Sequence, residues 1–223
     1  MTQKTIWWIL GIIVVILLAL WAFGGRTADD ATDVATTTPA AGDIQANLPD
    51  GTYAIDTDES VVRWVGTKPR VLGYQDNGTV MLSGGTVAVA GGAIASGDFT
   101  IDMSTIAVEK TSNESRPGSM LEEHLKSDDF FGVETYPTAR FVVTNVENGT
   151  VTGNLTVKAT TNEISFPATV RAEGDNRLVA QADIVVDRSE WDVRYGSGSF
   201  FSDLGDNLIA DEVQIRLDLV ATR

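Results

Sequence analysis

The chain has no cysteine and a single histidine in 223 residues. Without cysteine there is no disulfide, no thiolate metal site, no thiol nucleophile and no lipid-bearing cysteine, so an exported domain of this chain relies on its own core. His124 alone leaves zinc short of the several nitrogen or sulfur ligands it takes, and Glu122 and Glu123 beside it point apart on a helix. No metal site and no cofactor is expected. Positive charge is scarce: 16 Lys and Arg stand against 31 Asp and Glu, a formal charge of −15. Beyond Asp50 the count is 14 against 26. That balance argues against nucleic acid and against docking flat on an anionic membrane. Gly-x-Ser-x-Gly and a phosphate loop are both missing. Gly84-Gly85 and Gly91-Gly92 precede no helical pattern and read as turns. No catalytic set emerges, and an enzyme is not expected.

What is present divides the chain in three. Residues 1–24 hold Ile6 to Phe23, eighteen residues without a charge. As a helix they would rise about 27 Å, close to the hydrocarbon thickness of a bilayer. Trp7, Trp8 and Trp21 lie near the ends of the run, where amphipathic rings favour the interface. The segment reads as a transmembrane anchor or a cleaved signal. Either places the remainder outside the cytoplasm, periplasmic or extracellular, and secreted if the segment is removed. Residues 25–50, rich in Thr, Ala and Asp with Pro39 and Pro49, read as a flexible linker. Residues 51–223 are long enough for one domain of good size.

From Tyr53 the apolar residues alternate. Runs with period two include Val62 and Trp64, Thr86 to Val89, Phe99 to Met103, Arg140 to Val146, Val151 to Val157, Glu163 to Val170, Leu178 to Val186 and Val213 to Val220. Asp76-Asn77-Gly78, Ser83-Gly84-Gly85, Gly91-Gly92, Asn148-Gly149 and Gly174-Asp175-Asn176 read as the turns between them. Eight or nine short strands predict an antiparallel barrel or sandwich. Ser119 to Phe131 breaks the rhythm. Leu121 and Leu125 at i, i+4, joined by Met120, predict a helix of two turns ending near Lys126. The strand faces carry Trp64, Phe99, Ile101, Met103, Phe141, Leu155 and Phe166, which in a barrel either fill a core or surround one ligand.

Several pieces in order resemble the YceI-like family of exported polyisoprenoid-binding proteins. They are Tyr53-Ala-Ile-Asp56 with Ser60 to Trp64, Gly97 to Ile106, His124 to Phe131 with Tyr136 to Phe141, Val151 to Val157, Ile164 to Ala168, Arg188 to Gly196, and Asp211 to Val213. The sequence departs from the family pattern at Asp76, Ala159 and Asn162. The resemblance implies an all-β, eight-stranded antiparallel lipocalin-like barrel with one short helix. It also implies a carrier that takes up an isoprenoid, a quinone or another long-chain lipid. Trp64, Phe99, Ile101, Met103, Phe141, Leu155 and Phe166 would then line a tunnel, and Leu125, Phe130 and Phe131 would close one end. Arg188, Trp191 and Tyr195 would hold a head group. The alternative expectation is an exported structural or stress-related barrel with a packed core and no ligand. Expected partners are the lipid itself, the membrane through the N-terminal helix, and a second copy in a homodimer.

Overall fold

The structure, a computed structural model, describes residues 42–223 apart from Glu114. The apolar run Ile6 to Phe23 lies outside the described residues. No helix among the described ones is long and apolar enough to cross a membrane.

Eleven strands form one sheet. They are β1 (Asp43–Ile44), β2 (Gly51–Ile55), β3 (Val61–Thr67), β4 (Gln75–Ala90), β5 (Ala93–Lys110), β6 (Thr138–Glu147), β7 (Thr150–Val157), β8 (Thr160–Pro167), β9 (Thr169–Ala172), β10 (Arg177–Asp187) and β11 (Glu212–Thr222). The one helix, α1 (Gly118–Lys126), follows β5. The order β1-β9-β10-β11-β2-β4-β5-β6-β7-β8, with β3 between β11 and β4, curls into a barrel. β2 with β3, and β8 with β9, each act as one broken stave. With β4, β5, β6, β7, β10 and β11 they make eight staves, and β1 lies outside them. At the first break the buried Ser60 hydroxyl donates to the Val220 carbonyl and accepts from the Val220 N–H, replacing the lost ladder contacts.

Alternation sets which side chains point inward. On β10 the inward residues are Leu178, Ala180, Ala182, Ile184 and Val186, and on β11 they are Val213, Ile215, Leu217, Leu219 and Ala221. Neighbours in the ladder agree in facing: Ala182 pairs with Leu217 and Ile184 with Ile215.

Three sequence expectations are corrected. β4 and β5 run to 16 and 18 residues, because two of the expected turns lie inside β4. Asp76-Asn77-Gly78 is strand, paired with Gly66, Val65 and Trp64 of β3, and Asn77 and Gly78 also with the end of β5. Gly78 serves close approach there: a Cβ would overlap the Ala107 carbonyl oxygen and come within 2.8 Å of the Trp64 ring. Gly84 lies at a register shift between β4 and β5, a bulge that lets the long strand bend. Gly91-Gly92 and Asn148-Gly149 are turns, all four residues at positive φ. The expected linker also ends early. Asp43 and Ile44 pair in parallel with Thr169 and Val170, and Leu48 is buried with its N–H on the Gly92 carbonyl. Gln45 adds two more ties, its N–H on the Val170 carbonyl and its Oε1 accepting from the Ala172 N–H.

Gly78→Ala is therefore expected to destabilise the barrel by about 3 kcal/mol, the upper range for forced overpacking. Urea unfolding would show it as a lower midpoint at unchanged slope. A cost below about 0.5 kcal/mol would mean β3, β4 and β5 separate easily at this point.

The barrel does not close by hydrogen bonds everywhere. Among the described residues no ladder joins β8 to β10, although the two strands are neighbours. β9 covers β10 only from Leu178 to Gln181. The remaining seam is bridged by side chains from the β8 side. Asn162 Nδ2 donates to the Glu190 carbonyl at 2.9 Å, and Lys158 Nζ donates to the Asp192 carbonyl at 3.1 Å. Val151, Phe166, Ala168, Ala182, Ile184, Val186 and Trp191 form a second apolar cluster across it.

On the outer face, Arg177 pairs with Glu59 and Glu173, and Arg140 pairs with Asp98. Hydrogen bonds from Arg177 and Arg140 hold the Glu59 and Asp98 carboxyls below their ordinary 4.5 and 3.8. A carboxyl depressed in the folded state contributes stability above its unfolded pKa and loses it as pH falls through the folded value. The melting temperature is expected to drop as pH goes from about 5 to about 3. The drop should be shallower in Glu59→Gln/Asp98→Asn, and equal slopes would show that these pairs carry none of the acid sensitivity.

Candidate functional site

The inward faces enclose a cavity of about 760 Å³ that runs through the barrel. All thirteen side chains singled out from sequence line it. Trp64 comes from β3, Phe99, Ile101 and Met103 from alternate positions of β5, Phe141 from β6, Leu155 from β7 and Phe166 from β8. Phe99, Phe141 and Phe166 form a continuous aromatic row, with ring centroids 6.3 Å and 5.5 Å apart. Ala139, Ala168, Ala180, Ala182 and Gly97 stand among these large residues, and such small side chains leave room that a packed core would fill.

One end of the barrel gathers every long connection: residues 68–74, residues 111–137 with α1, and residues 188–211. α1 starts after Pro117 without a side-chain cap and stops at Ser127, whose N–H reaches the Glu123 and His124 carbonyls. Glu122 Oε1 accepts from the Val108 N–H at 2.9 Å and pins the helix to β5. Leu125 and Phe130 are buried and Phe131 is half-buried beneath this cover. His124 packs edge-on against Tyr195 at 4.3 Å and Phe130 at 5.2 Å, and its Nε2 lies 3.6 Å from Asp129 Oδ2. It is an aromatic member of the lining that sequence reasoning left out. No cluster of three or more metal-ligating side chains occurs among the described residues.

The expected head-group trio divides. Trp191 is 2% exposed, and its indole N–H donates to the Leu155 carbonyl at 2.9 Å. Its polar edge is therefore spent on the seam. Arg188 is buried, and its donors go to the carbonyls of Ala210 (3.0 Å), Val193 (2.8 Å) and Ile209 (3.4 Å), with Asp211 Oδ1 at 3.3 Å. Burial pushes its pKa down, while Asp211 and Asp187 oppose that shift. The first task of this guanidinium is to tie the 188–211 connection together, with its face over the Phe130 ring at 5.7 Å. Tyr195, 44% exposed, is the one of the three at the rim.

The polar groups around the opening come instead from residues that sequence reasoning did not select. Lys68, Tyr74, Asp76, Thr111, Asn113 and Arg116 line the mouth. Lys68 Nζ sits over the Tyr74 ring at 4.9 Å. Burial, and then the Asp76 carboxylate, pushes the Tyr74 phenol up to about 12. Asp76, a departure from the family pattern, accepts from the Ser112 N–H at 2.9 Å and fastens the end of β5. The sequence signals for this rim were the departure at Asp76 and the stretch Lys68 to Tyr74, which holds two cations and no acid.

A barrel of about eight staves with an apolar interior of about 760 Å³ has the dimensions of the barrels in which a small ligand can fit. The chain belongs to the YceI-like family, whose domain model matches residues 53–221. A UPF0312 protein of Staphylococcus aureus (strain USA300) is 43% identical over 56 residues, 25% of this chain and 30% of that protein. A UPF0312 protein of Pseudomonas putida (strain GB-1) is 34% identical over 89 residues, 35% of this chain and 46% of that protein. The match thus spans less than half the length of either relative. Among solved structures, Burkholderia cenocepacia BcnA is similar with a TM-score of 0.58 and 27% identity, covering 75% of this chain and 99% of BcnA. A polyisoprenoid binding domain from Saccharophagus degradans, implicated in plant cell wall breakdown, has a TM-score of 0.57 at 16% identity. It covers 76% of this chain and 97% of that domain, a likeness of fold.

Proposed function

We propose that the barrel carries the tail of one long isoprenoid, quinone or similar amphiphilic lipid, and that it binds rather than catalyses. The observation that carries this reading is the cavity of about 760 Å³, walled mainly by aliphatic and aromatic side chains, with most of its polar lining residues in or beside the connections at the mouth end. Such a volume lies within the range of ligand pockets, about 300–1,000 Å³. Each methylene moved from water into it contributes about 0.8 kcal/mol. A tail therefore needs few polar contacts, which suits a site without a converging catalytic set. The Saccharophagus domain, a polyisoprenoid binder of the same fold, supports the same cargo class. The reading includes a location outside the cytoplasm, with Ile6 to Phe23 as anchor or signal.

The test is native mass spectrometry with lipid extraction on the full chain purified from its own membranes. A stoichiometric prenyl lipid or quinone would establish the reading and identify the cargo. An apo mass, with no rise in melting temperature on adding prenyl lipids, would return the barrel to a structural role.

A further inference from the structure

The large apolar side chains exposed among the described residues are not scattered. Leu72, Met120, Tyr195, Phe200 and Phe201 belong to the three connections at the mouth end, and only Val185 lies on a strand. Single exposed apolar residues are ordinary, but a group gathered on one end of a barrel marks an interaction surface. Leu72 is fully exposed at the tip of residues 68–74. Its presentation is built in: the Val71 N–H bonds the Lys68 carbonyl, the Tyr74 N–H bonds the Val71 carbonyl, and Gly73 takes a positive φ of 71°. The same loop carries Lys68 and Arg70 and no acid. Phe201 is half exposed, and Phe200 lies against Arg194, with the guanidinium 4.8 Å from the ring centroid. The Thr67 carbonyl accepts the Ala210 N–H at 2.9 Å, so the two connections are fastened to each other.

From this arrangement we infer that the mouth end docks on a lipid bilayer, with Leu72 and Phe201 entering the interface and Lys68 and Arg70 meeting lipid phosphates. Apolar tips beside cations suit the layer where headgroups meet acyl chains. Net acidity does not decide the contact. At physiological salt, charges beyond about 8 Å are screened, so lipid phosphates are met at the acid-free loop 68–74, while Phe201, two residues from Asp203, contributes through its ring alone. The inference goes beyond the cargo reading, since the surface would dock whether or not the cavity is loaded.

The absence of cysteine supplies the test. Leu72→Cys, Phe201→Cys and, at the opposite end, Asp175→Cys each give the full chain one thiol for an environment-sensitive fluorophore. The labelled chains are reconstituted in vesicles of phosphatidylcholine and phosphatidylglycerol at about 3:1, with and without lipids carrying a quencher at shallow acyl depth. Labels at 72 and 201 are expected to shift to the blue and lose roughly half their emission to the quencher, with label 175 unaffected. The effect at 72 should weaken in pure phosphatidylcholine or high salt. Three results would overturn the inference: no quenching at 72 and 201, equal quenching at 175, or a blue shift that depends on protein concentration and not on lipid. The last would make the surface a contact between two copies of the chain. Cargo loss with intact quenching, or intact cargo without quenching, separates this inference from the cargo reading.

Discussion

A barrel carrying Ala139→Phe and Ala180→Phe is expected to lose the proposed lipid cargo and keep its fold. Both alanines line the cavity. Ala139 sits opposite Ile101 in the β5–β6 ladder, and Ala180 lies between Val170 and Leu219. Inserting rings into a packed core costs about 1–3 kcal/mol each and would lower the melting temperature by several degrees. Growing them into about 760 Å³ of space should cost little, because the rings gain contacts where the lining now has none. Co-purifying lipid should fall about tenfold or more, equivalent to about 1.4 kcal/mol of binding. Extraction read beside a thermal melt decides the matter. Full lipid occupancy in a stable double variant would place the ligand elsewhere, and a large thermal loss would mean the interior has no free space.

Trp191→Ala should produce the largest loss of stability. The side chain is 2% exposed and packs with the second apolar cluster where β8 and β10 lack a ladder. Truncating a buried tryptophan costs about 3–5 kcal/mol. Leaving the Leu155 carbonyl without its donor adds about 1 kcal/mol more. Against a usual total of about 5–15 kcal/mol, that is a large fraction. Trp191→Phe keeps most of the apolar area and removes the N–H, so it should cost about 1–2 kcal/mol. Denaturant unfolding gives the totals, and amide exchange gives the place. Amides of β8 and of β10 beyond Gln181 should exchange faster in the alanine variant, while those of β4 and β5 keep their relative protection. A cost below about 1 kcal/mol would show that the seam holds without this side chain.

Facing was the most legible part of the structure. Period-two alternation put Phe99, Ile101 and Met103 on one side of β5, and Trp64, Phe141, Leu155 and Phe166 on the matching sides of their strands. Turn chemistry was legible only in part. Glycine that permits positive φ, as at Gly91 and Gly149, and glycine that permits close approach, as at Gly78, look alike in a sequence. Telling them apart needs the third strand. Polar side chains were the hardest to assign. Arg188 and Trp191 resembled a head-group site, but their hydrogen bonds go to main-chain carbonyls brought near by distant parts of the chain. Lys68 and Tyr74 share one loop, but Arg116 is far from them in sequence and meets them at the mouth only because β3, β4 and β5 end together.

The pairing of β11 fixes when a cavity can first exist. β11 joins Ala221 and Thr222 to Ile55 and Ala54, and Gln214 to Asp218 to Val65 to Val61, contacts between opposite ends of the folded domain. It also supplies Val213, Ile215, Leu217, Leu219 and Ala221 to the wall. A nascent chain that has not reached Glu212 leaves β10 open on one side and β2 with β3 open on the other, edges prone to pair with strangers. High contact order makes closure slow, on the millisecond-to-second scale for such topologies. During that interval the future interior is an open trough, and the tail of the proposed cargo would lie down in it sideways instead of threading a finished mouth. Loading and the last step of folding can then be a single event.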